Sequence, residues 1–382
     1  MQVTRHAAVA EIPAGEWNAL AGEEYPFLRH EFLLAAEKSG SVSPQSGWTP
    51  RHITLHEDGV IRAAMPLYEK SHSWGEFVFD WAWAQAYTQA GLDYYPKLVS
   101  AVPFTPAPSR RLLLKDRNDR NAAAALLDAA VTLAQDSGCS SLHILFPAAD
   151  EVPLLGASGL KLRKDCQFHW HNRGYGDFDD FLDTFSGIKR KKVRQDRRRV
   201  AAAGITFRRL HGEDIGPETW SVVYRLISNT FMRRGSLPYF DLDFFTALSK
   251  TLPRNIFVVL AMHSGSPVGA AVFFDSARVL YGRYWGSNGH YDALHFETCY
   301  YQGIEYCIET GRQVFEPGTQ GEHKISRGFV PVETWSAHWL RQPEFFSAIS
   351  AYLDREAQHV DRYMEAVDEH SPYRKGDAPG RS

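Results

Sequence analysis

The chain has 382 residues, 44% of them hydrophobic and 13% aromatic, and its formal net charge is −3 at pH 7. This length predicts two domains, and the weak negative charge argues against a general polyanion-binding protein. The four cysteines are scattered without a CxxC motif, which argues against a disulfide framework or a zinc site and indicates a reducing compartment. The N-terminal residues contain no apolar run of signal-peptide length, so we expect a cytoplasmic location.

The first half of the chain predicts an α/β unit with an antiparallel hairpin. Residues 51–57 alternate as in a strand, and Asp58-Gly59 is a hairpin turn signal. The Ala- and Leu-rich residues 121–137 predict a helix that ends at Gly138. The other expected segments are a helix at 27–39, strands at 60–70, 97–104, 141–147 and 160–172, and an apolar segment at 76–84.

The second half repeats this plan. Asp177 and Asp241 each precede a helical pattern and are expected to cap the helices that follow. The most apolar stretch, 256–274, is interrupted by His-Ser-Gly-Ser-Pro, which indicates a hairpin and no membrane span. The remaining segments are helices at 177–185, 186–204, 219–233, 242–251 and 293–310 and strands at 205–210, 279–287 and 313–317.

The two halves form a weak internal repeat. Residues 59–68 align with residues 266–275, each directly after a tight turn, and each half then continues as strand, helix and strand. This is the core order of a GNAT acetyltransferase, although two unrelated α+β units with similar hairpin composition are the alternative. We expect an N-terminal GNAT-like domain at 1–172, a C-terminal GNAT-like domain with the active cleft at 173–370, and a disordered tail at 371–382.

The C-terminal domain ends in a long helix, predicted at 344–369. Its apolar residues lie along one stripe, which is expected to pack across the domains or onto a second copy of the chain. Nothing in this helix indicates chemistry.

Three stretches of the sequence resemble one bacterial family, the FemAB-like N-acyltransferases of peptidoglycan biosynthesis or recognition, within the GNAT superfamily. They are residues 71–87, 94–106 and 315–339, and the last, FEPGTQGEHKISRGFVPVETWSAHW, is long, polar and non-repetitive. The resemblance spans most of the chain. It implies a mixed α/β fold with two tandem GNAT-like domains in the Fem-type arrangement, and transfer of an acyl group to an amine. The more remotely similar Fem peptidyltransferases move an amino acid from aminoacyl-tRNA onto a peptidoglycan precursor amine.

One departure from the GNAT pattern concerns the acyl donor. GNAT enzymes hold the CoA pyrophosphate with an Arg/Gln-x-x-Gly-x-Gly/Ala turn, whose N–H groups open the following helix. The equivalent link here, residues 287–293, contains only Gly289. No permanently bound cofactor is expected, and acyl-CoA and aminoacyl-tRNA both remain open as the co-substrate.

Residues 315–339 are the expected centre of the chemistry. Acylation of an amine needs a base for the ammonium proton and positive or hydrogen-bonding groups for the developing charge on the carbonyl oxygen. Glu316 and His323 are the candidate bases, and a loop held by internal salt bridges is the alternative reading of the segment. The candidate binding residues of the segment are Gly318, Gln320, Lys324, Arg327 and His338.

The strand before the predicted helix at 293–310 adds two candidates. Strand alternation sends Tyr281, Arg283 and Trp285 to one face and Gly282 and Tyr284 to the other. A tyrosine that protonates the leaving group is a recurring GNAT device, so Tyr284 is a catalytic candidate and Arg283 a binding candidate. A packed strand aromatic is an equally open interpretation of Tyr284.

Residues 189–199 contain eight basic residues in eleven. On a helix these cover more than one face, and two interpretations remain open. The first is a phosphate-binding surface for tRNA, a CoA tail or a nucleotide-linked acceptor, with Lys189, Lys191 and Arg194 as candidates. The second is a solvated helix whose charge is partly offset by Asp196 and the acidic residues that precede the helix.

Aromatic residues are dense in the first half of the chain. Trp81 and Trp83 share a face if the strand continues through them, and together with Tyr95 and Lys97 they suit recognition of a sugar, peptide or base. Core packing is the alternative. His169 and His171 would share a strand face, but no further ligand stands near them in sequence, so no metal site is expected.

The sequence therefore predicts an N-acyltransferase that acts by direct transfer, with Glu316 and His323 as bases and Tyr284 at the leaving group. The alternative is a catalytically silent tRNA- or nucleotide-binding module, and a scaffold or dimerisation protein is a third possibility. The expected partners are a small-molecule or peptide-like amine acceptor, tRNA if it carries the donor, and a second copy of the chain as a homodimer.

Overall fold

The computed structural model describes residues 1–319 and 321–374, and the chain forms two compact units. Unit 1 contains Met1–Asp165 and Glu333–Asp361, whereas unit 2 contains the described residues of 166–332 and 362–374. This division differs from the predicted boundary after residue 172, because the chain returns to unit 1 at Glu333. Sequence order alone gives no sign of such a return.

Most of unit 1 is built from the first 165 residues. Its strands are β1 (Gln2–His6), β2 (Trp48–Pro50), β3 (His52–Glu57), β4 (Val60–Met65), β5 (Tyr68–Lys70), β6 (Lys97–Ser100), β7 (Leu113–Leu114) and β8 (Ser141–Leu145). Its helices are α1 (Ala14–Ala21), α2 (His30–Lys38), α3 (Trp81–Gln89), α4 (Arg120–Asp136) and α5 (Val152–Ala157). The strand β9 (Lys161–His171) begins in unit 1 and enters unit 2 at Cys166.

Unit 2 follows in chain order. Its helices are α6 (Phe178–Asp183), α7 (Gly187–Ala202), α8 (Pro217–Arg233), α9 (Leu242–Thr251), α10 (Leu294–Phe296) and α11 (Gln302–Thr310), with a π-helical turn at Glu297–Tyr301 between the last two. Its strands are β10 (Ile205–His211), β11 (Ile256–His263), β12 (Ser266–Asp275), β13 (Val279–Ser287) and β14 (Val314–Glu316). The strand β15 (Val330–Leu340) and the helix α12 (Pro343–Asp368) are the last two of these elements in the described residues.

The core of unit 1 lies under α4. Asp119 caps this helix by accepting a hydrogen bond from the Ala122 backbone N–H at 2.9 Å, which satisfies one of the free donors at its N-terminus. The Ala and Leu face of α4 packs on apolar residues of β3, β4, β6 and β8. Within unit 1 the paired strands run in the orders β1-β3-β4-β7 and β15-β8-β6-β5-β2.

The predicted common face of Trp81 and Trp83 is wrong, because the backbone at this point is a helix. Residues two apart on a helix point in nearly opposite directions. Trp83 is buried, 4% exposed, in a cluster with Tyr87, Tyr94 and Leu353. Trp81 is 42% exposed.

The sheet of unit 2 has the strand order β10-β11-β12-β13-β14-β9. The pairs from β10 to β13 are antiparallel, β13 and β14 are parallel, and β14 is antiparallel to β9. The α8 backbone lies directly on this sheet at Gly286, where an added Cβ would come within 1.9 Å of the Leu226 carbonyl oxygen. A side chain at 286 would therefore push α8 away from β13.

The two segments of the predicted repeat are β4 in unit 1 and β12 in unit 2, and each is the second strand of a hairpin. Asp58 and Gly59 have φ of 51° and 77°, and Ser264 and Gly265 have φ of 49° and 79°. Two successive positive φ angles define a type I′ turn, whose twist suits two-residue hairpins. Each unit thus contains a hairpin whose two strands are joined by the same type of turn.

Other predictions concern helix ends and the tail. Asp177 and Asp241 cap α6 and α9 as predicted. The Asp177 side chain accepts a hydrogen bond from a backbone N–H at 2.8 Å, and the Asp241 side chain does so at 2.9 Å. Residues 371–374 do not form the predicted disordered tail, because Tyr373 is buried and its hydroxyl donates to the Gly328 carbonyl at 2.7 Å. The rest of that tail, 375–382, lies outside the described residues.

The apolar stripe predicted for the last helix is present on α12, where Ile349, Leu353, Met364 and Val367 are buried. Within the described part of the chain, no helix combines the length and the apolar character that a membrane crossing requires.

Candidate active site

A β-bulge in β13 organises the polar face of unit 2. Val272 pairs with Tyr284 and Phe273 pairs with Gly282, so Arg283 is an extra residue between them. Such a bulge breaks the alternation of side chains along a strand. The predicted grouping of faces is therefore wrong, because Tyr284 and Gly282 lie on opposite faces and Tyr281 shares the face of Tyr284.

Glu316 lies on the same face of the sheet as Tyr281. It is the last residue of β14 and stands directly opposite Tyr281 in the parallel pair, while Phe315 pairs with Trp170 of β9. Phe315 and Trp170 pair and therefore share one face of the sheet. Their neighbours along the strands, Glu316 and His169, both point to the opposite face. β14 ends at Glu316, so the Glu316 side chain lies next to the bulge of the neighbouring strand β13.

The Glu316 carboxyl is buried beside one cation. Its side chain is 10% exposed, and Oε2 lies 3.5 Å from Arg283 Nη2. Burial raises the pKa of Glu316 to about 7, although Arg283 acts in the opposite direction. Glu316 therefore changes protonation state near neutral pH.

Lys324 approaches the same region from the 3₁₀ turn at Glu322–Arg327. It is 1% exposed, and its Nζ donates to the Gly318 carbonyl at 2.5 Å. Gly318 has a φ of 95°, which favours glycine at this position. Burial, followed by the charge of Arg283, lowers the pKa of Lys324 to about 7.

His169 is the third basic group near Glu316. Burial lowers its pKa to about 3, with further contributions from His171, Lys324 and Arg283. His169 is therefore neutral at physiological pH, and its Nε2 lies 3.2 Å from the Gln167 side-chain oxygen. The region combines one carboxyl group with the cations of Arg283 and Lys324 and a neutral imidazole, which suits binding of an anion or of a carbonyl oxygen that gains charge.

His323 occupies the exposed side of the 322–327 turn. Its Nε2 lies 2.8 Å from the hydroxyl of Tyr300, within hydrogen-bond distance. Burial lowers the pKa of His323, and the charges of Arg327 and Lys324 lower it further. The ring also contacts His295 and Phe296 at centroid distances of 6.0 and 5.7 Å.

Arg327 holds the turn in place. Its Nη1 donates to the His323 carbonyl at 2.7 Å, and the guanidinium lies 3.4 Å from the centre of the Phe296 ring. Its Nη2 lies 3.4 Å from Oδ2 of Asp196, a buried residue of α7. The contacts of Arg327 are thus internal, and the structure gives it the role of a support for His323 and Lys324.

Tyr284 packs against α9. It is 7% exposed and meets Phe245 edge-on at 5.4 Å. Burial raises the pKa of its hydroxyl, while Arg283 lowers it. Tyr284 therefore stays protonated across neutral pH and shares a sheet face with Glu316.

The basic residues of α7 have different environments. Arg194 pairs with Asp179 at 2.9 Å and Arg190 pairs with Asp183 at 2.6 Å. Lys189 is half-buried and Lys191 is exposed, and neither forms an ion pair with any residue the structure describes. The same holds for the exposed Arg198 and Arg199.

The predicted binding residues of unit 1 are largely buried. Lys97 is 0% exposed and forms an ion pair with Glu76 at 2.7 Å and another with Asp80. The Tyr95 hydroxyl lies 2.8 Å from the Ser73 hydroxyl, which also accepts from Lys97. The ammonium group of Lys97 is thus bound by side chains inside unit 1.

His338 belongs to unit 1, whereas Glu316 belongs to unit 2. The chain leaves unit 2 at Glu333, so the predicted segment 315–339 is divided between the two units. His338 Nδ1 lies 2.6 Å from His143 Nδ1, and its ring contacts Trp83 at 4.8 Å. Gln320 lies outside the described residues.

Three residues of the site did not stand out in the sequence as parts of it. His169 was considered only as a metal ligand, and Tyr300 is one of many aromatic residues. Asp196 carries a readable signal, because it lies with Val193 and Val200 on the buried stripe of an otherwise basic helix. An acidic residue on such a stripe indicates a buried cationic partner, which is Arg327.

The comparisons with known proteins agree with this fold. The FemAB-like family model, described as peptidoglycan biosynthesis/recognition, matches residues 8–375, and the chain therefore belongs to this family. The crystal structure of FemX is similar over 92% of this chain and 100% of that chain, with 15% sequence identity and a TM-score of 0.54. L-PGS from Bacillus licheniformis is similar over 87% and 98%, with 14% identity and a TM-score of 0.50. No curated protein sequence matches.

The fold class predicted from the sequence is thus confirmed. The chain has a mixed α/β fold with two tandem GNAT-like domains of the Fem type.

Proposed function

We propose that the chain is an N-acyltransferase that moves an acyl or aminoacyl group from an activated ester or thioester to an amine. One observation carries the proposal: a buried carboxyl group with a pKa near 7, Glu316, lies beside Arg283, whose charge also acts on the buried Lys324. Membership in the FemAB-like family and a fold shared with FemX support the same reaction class.

Glu316 acts as the general base. An amine acceptor is an ammonium ion at neutral pH, and it must lose a proton before nitrogen attacks the carbonyl carbon. A base works best when its pKa is near the working pH. With a pKa of about 7, Glu316 is about half ionised at pH 7 and accepts that proton directly or through a water.

Arg283 and Lys324 bind the carbonyl oxygen of the donor or an anionic group next to it. When nitrogen attacks, charge moves to this oxygen, and cations fixed beforehand stabilise it more than mobile water does. Arg283 is held by the bulge and donates to the Gly282 carbonyl at 2.9 Å. Lys324 is held by the Gly318 carbonyl.

Tyr284 supplies the proton to the leaving thiolate or alkoxide, because burial keeps its hydroxyl protonated. His323 and Tyr300 form a second hydrogen-bonded pair on the exposed side of the turn, where a proton can pass to solvent. The nitrogen–carbonyl bond forms and the carbon–sulfur or carbon–oxygen bond breaks. Of the two protons that the ammonium group loses, one moves to Glu316 and the other replaces the proton that Tyr284 gives to the leaving group.

The test is a transfer assay with defined probes. Donors are acetyl-, succinyl- and palmitoyl-CoA and alanyl-, glycyl- and lysyl-tRNA, and acceptors are hydroxylamine, spermidine and a lysine-containing muramyl peptide. We expect transfer with at least one donor, and we expect Glu316→Gln to lower kcat by roughly 100-fold or more. Glu322→Gln is the matched control, since Glu322 is an exposed residue of the same segment whose carboxylate accepts from Tyr363 at 3.0 Å.

Two results would contradict the proposal. One is the absence of transfer from every donor by a folded protein. The other is a Glu316→Gln variant that is as active as the Glu322→Gln control. The donor that supports transfer also decides between acyl-CoA and aminoacyl-tRNA.

The second candidate function is a non-catalytic tRNA- or nucleotide-binding module, and the exposed side of α7 favours it. Lys191, Arg198 and Arg199 are exposed there without ion pairs to any described residue. These positions recur on one side of the helix. Cations in this state are available to phosphates, and binding them releases counterions, so the affinity depends on salt.

This candidate is tested with tRNA as the probe. Changing Lys191, Arg198 and Arg199 to Glu should weaken binding and reduce the slope of log K against log salt by about 2 to 3. The control reverses three exposed cations elsewhere in unit 2: Arg225, Arg233 and Lys250. Equal loss in both triple variants would show a general charge effect and would remove α7 as a specific surface.

A further inference from the structure

One face of the sheet in unit 1 is polar although it is buried. Lys70 of β5 pairs with Trp48 of β2 and with Lys97 of β6, and His143 of β8 lies on the same face. These four side chains are 0% or 1% exposed. The opposite face, which includes Leu98, packs on α4. The polar face therefore needs partners inside unit 1, since water does not reach it.

The segment that covers this face brings two carboxyl groups to one lysine. Lys97 Nζ donates to Ser73 at 2.8 Å and to Glu76 at 2.7 Å, and it forms an ion pair with Asp80. Its three N–H groups therefore each have an acceptor. Asp80 also accepts from the Tyr94 hydroxyl at 2.6 Å. Lys97 thus holds both carboxyl groups in fixed positions.

Other polar atoms of the same cluster lack partners. Oε1 of Glu76, Oδ1 of Asp80 and Nε1 of Trp48 are buried, and none has a hydrogen-bond partner in the part of the chain that the structure describes. Among those residues, Lys70 Nζ has one acceptor, the Trp74 carbonyl at 3.2 Å, so two of its N–H groups are left over. Lys70 Nζ also lies 3.9 Å from the centre of the Trp48 ring. Both carboxyl groups act on its charge, so these atoms surround one region.

The unpartnered atoms define the chemistry of the molecule that would complete them. The carboxylate oxygens need donors and favour a positive charge, whereas Lys70 and Trp48 need acceptors. A phosphate would be repelled by the two carboxylates, and a simple amine would leave Lys70 and Trp48 without acceptors. A zwitterion that carries an ammonium group and a carboxylate satisfies both sets of atoms, and its zero net charge matches a cluster of two lysines and two acidic residues.

The protonation of the cluster supports this complement. Burial raises the pKa of Glu76 to about 7, although Lys97 acts in the opposite direction. Burial lowers the pKa of Lys70 to about 7, although Glu76 acts in the opposite direction. Each group is therefore close to losing its charge, because its present partners do not offset the cost of burial. An ammonium group beside Glu76 and a carboxylate beside Lys70 would supply the missing partners.

Access to the cluster leads through the loop at residues 71–76. Trp74 is 67% exposed while its carbonyl accepts from the buried Lys70, so a single residue of the loop separates Lys70 from solvent. The loop has no regular secondary structure. Segments of this kind open more readily than the strands beneath them.

We propose that unit 1 binds a free α-amino acid as a zwitterion, with its ammonium group at Glu76 and Asp80 and its carboxylate at Lys70 and Trp48. The loop at residues 71–76 opens to admit the amino acid and closes over it. The site uses none of the residues to which catalysis is assigned, so the inference does not depend on the proposed function.

The test measures binding by the full-length protein. Each of the protein amino acids is first screened for a rise in melting temperature, since a ligand of the native state stabilises it. Calorimetry then compares the most stabilising amino acid with two truncated probes, its decarboxylated amine and its deaminated acid. We expect each truncated probe to bind roughly 10-fold or more weakly, because each leaves charged groups of the cluster without a partner.

Two nearly isosteric variants test the residues. Glu76→Gln and Lys70→Met should each weaken binding of the amino acid roughly 10-fold or more. Glu69→Gln is the matched control, because Glu69 precedes Lys70 on β5 but points to the other face of the sheet, where it pairs with Arg51 at 3.2 Å. Glu316→Gln should bind like the wild type, which separates this test from the test of catalysis.

Three outcomes would overturn the proposal. The first is a protein that no amino acid stabilises, which would leave ordered water as the partner of the free atoms. The second is equal binding of the amino acid and its truncated probes, and the third is a pair of variants that bind as Glu69→Gln does. Binding should also slow amide hydrogen exchange at residues 71–76, and unchanged exchange would exclude this loop as the entrance. If a variant fails to fold, the truncated probes still test the proposal on the wild type.

Discussion

The replacement Glu316→Gln should change how the free energy of unfolding depends on pH, and this change can be measured without a substrate. Burial raises the pKa of Glu316 from 4.5 to about 7 in the folded protein, whereas an unfolded chain titrates this carboxyl at its ordinary value. The folded state thus binds the proton more tightly. The contribution of Glu316 to stability is fully present below about pH 4.5 and is lost as the pH rises through about 7.

The size of this effect follows from the pKa difference. At 1.36 kcal/mol for each pKa unit, the loss amounts to about 3 kcal/mol once the pH is well above 7. Most of it, about 2 to 3 kcal/mol, falls between pH 5 and pH 8. Glutamine has nearly the same shape and no proton to lose, so the variant should gain stability relative to the wild type over this interval.

The assay is urea unfolding at pH 5 and pH 8, followed by tryptophan fluorescence, for the wild type, Glu316→Gln and the control Glu322→Gln. The difference in unfolding free energy between Glu316→Gln and the wild type should shift in favour of the variant by about 2 to 3 kcal/mol from pH 5 to pH 8. The control should show no such shift, because Glu322 is exposed. A difference that is the same at both pH values would refute the assignment of a raised pKa to Glu316.

Three further predictions concern the neighbours of Glu316. Lys324 has a pKa of about 7 and loses its charge at higher pH. Lys324→Arg should therefore extend transfer to higher pH, and Lys324→Met should lower kcat/KM at least about 10-fold. The pH profiles of kcat/KM for both variants check this, and profiles like that of the wild type would exclude Lys324 from the site. Tyr284→Phe should slow transfer more for donors with a basic leaving group than for thioesters, and equal slowing in steady-state kinetics would argue for a packing role. Asp196→Asn should weaken the contact between residue 196 and the Arg327 guanidinium. Amide hydrogen exchange of residues 322–328 should then become faster, while exchange in α8 stays the same. Unchanged exchange at 322–328 would show that Asp196 does not support the turn.

How far the sequence predicts the structure depends on whether the information is local. The caps at Asp177 and Asp241 and the two type I′ hairpins follow from short-range rules and were found where expected. The helical state of Trp81 was missed because residues 77–84 are apolar apart from Asp80, and its helix is set by the packing of Trp83 and Tyr87 in the core. Periodicity distinguishes helix from strand poorly in such a segment.

The candidate site shows the same limit. The segment that begins at Glu316 was recognised from its polar residues and glycines, but the sequence could not show that His338 belongs to unit 1, since that depends on the path of the chain after Val332. The bulge at Arg283 is also invisible to an alternation rule, because one extra residue in a strand leaves no local signature. The bulge is what brings Tyr284 to the face that Tyr281 shares with Glu316.

The central claim is that Glu316 takes the proton of the amine during acyl transfer. The most direct test is the pH dependence of kcat/KM for the wild type and for Glu316→Gln, with a donor that the transfer assay has identified. The wild type should show an acidic limb in which log kcat/KM rises with a slope of one up to about pH 7, as its pKa of about 7 requires, and the variant should be roughly 100-fold less active and lack this limb. A variant that keeps both the rate and the acidic limb of the wild type would contradict the account.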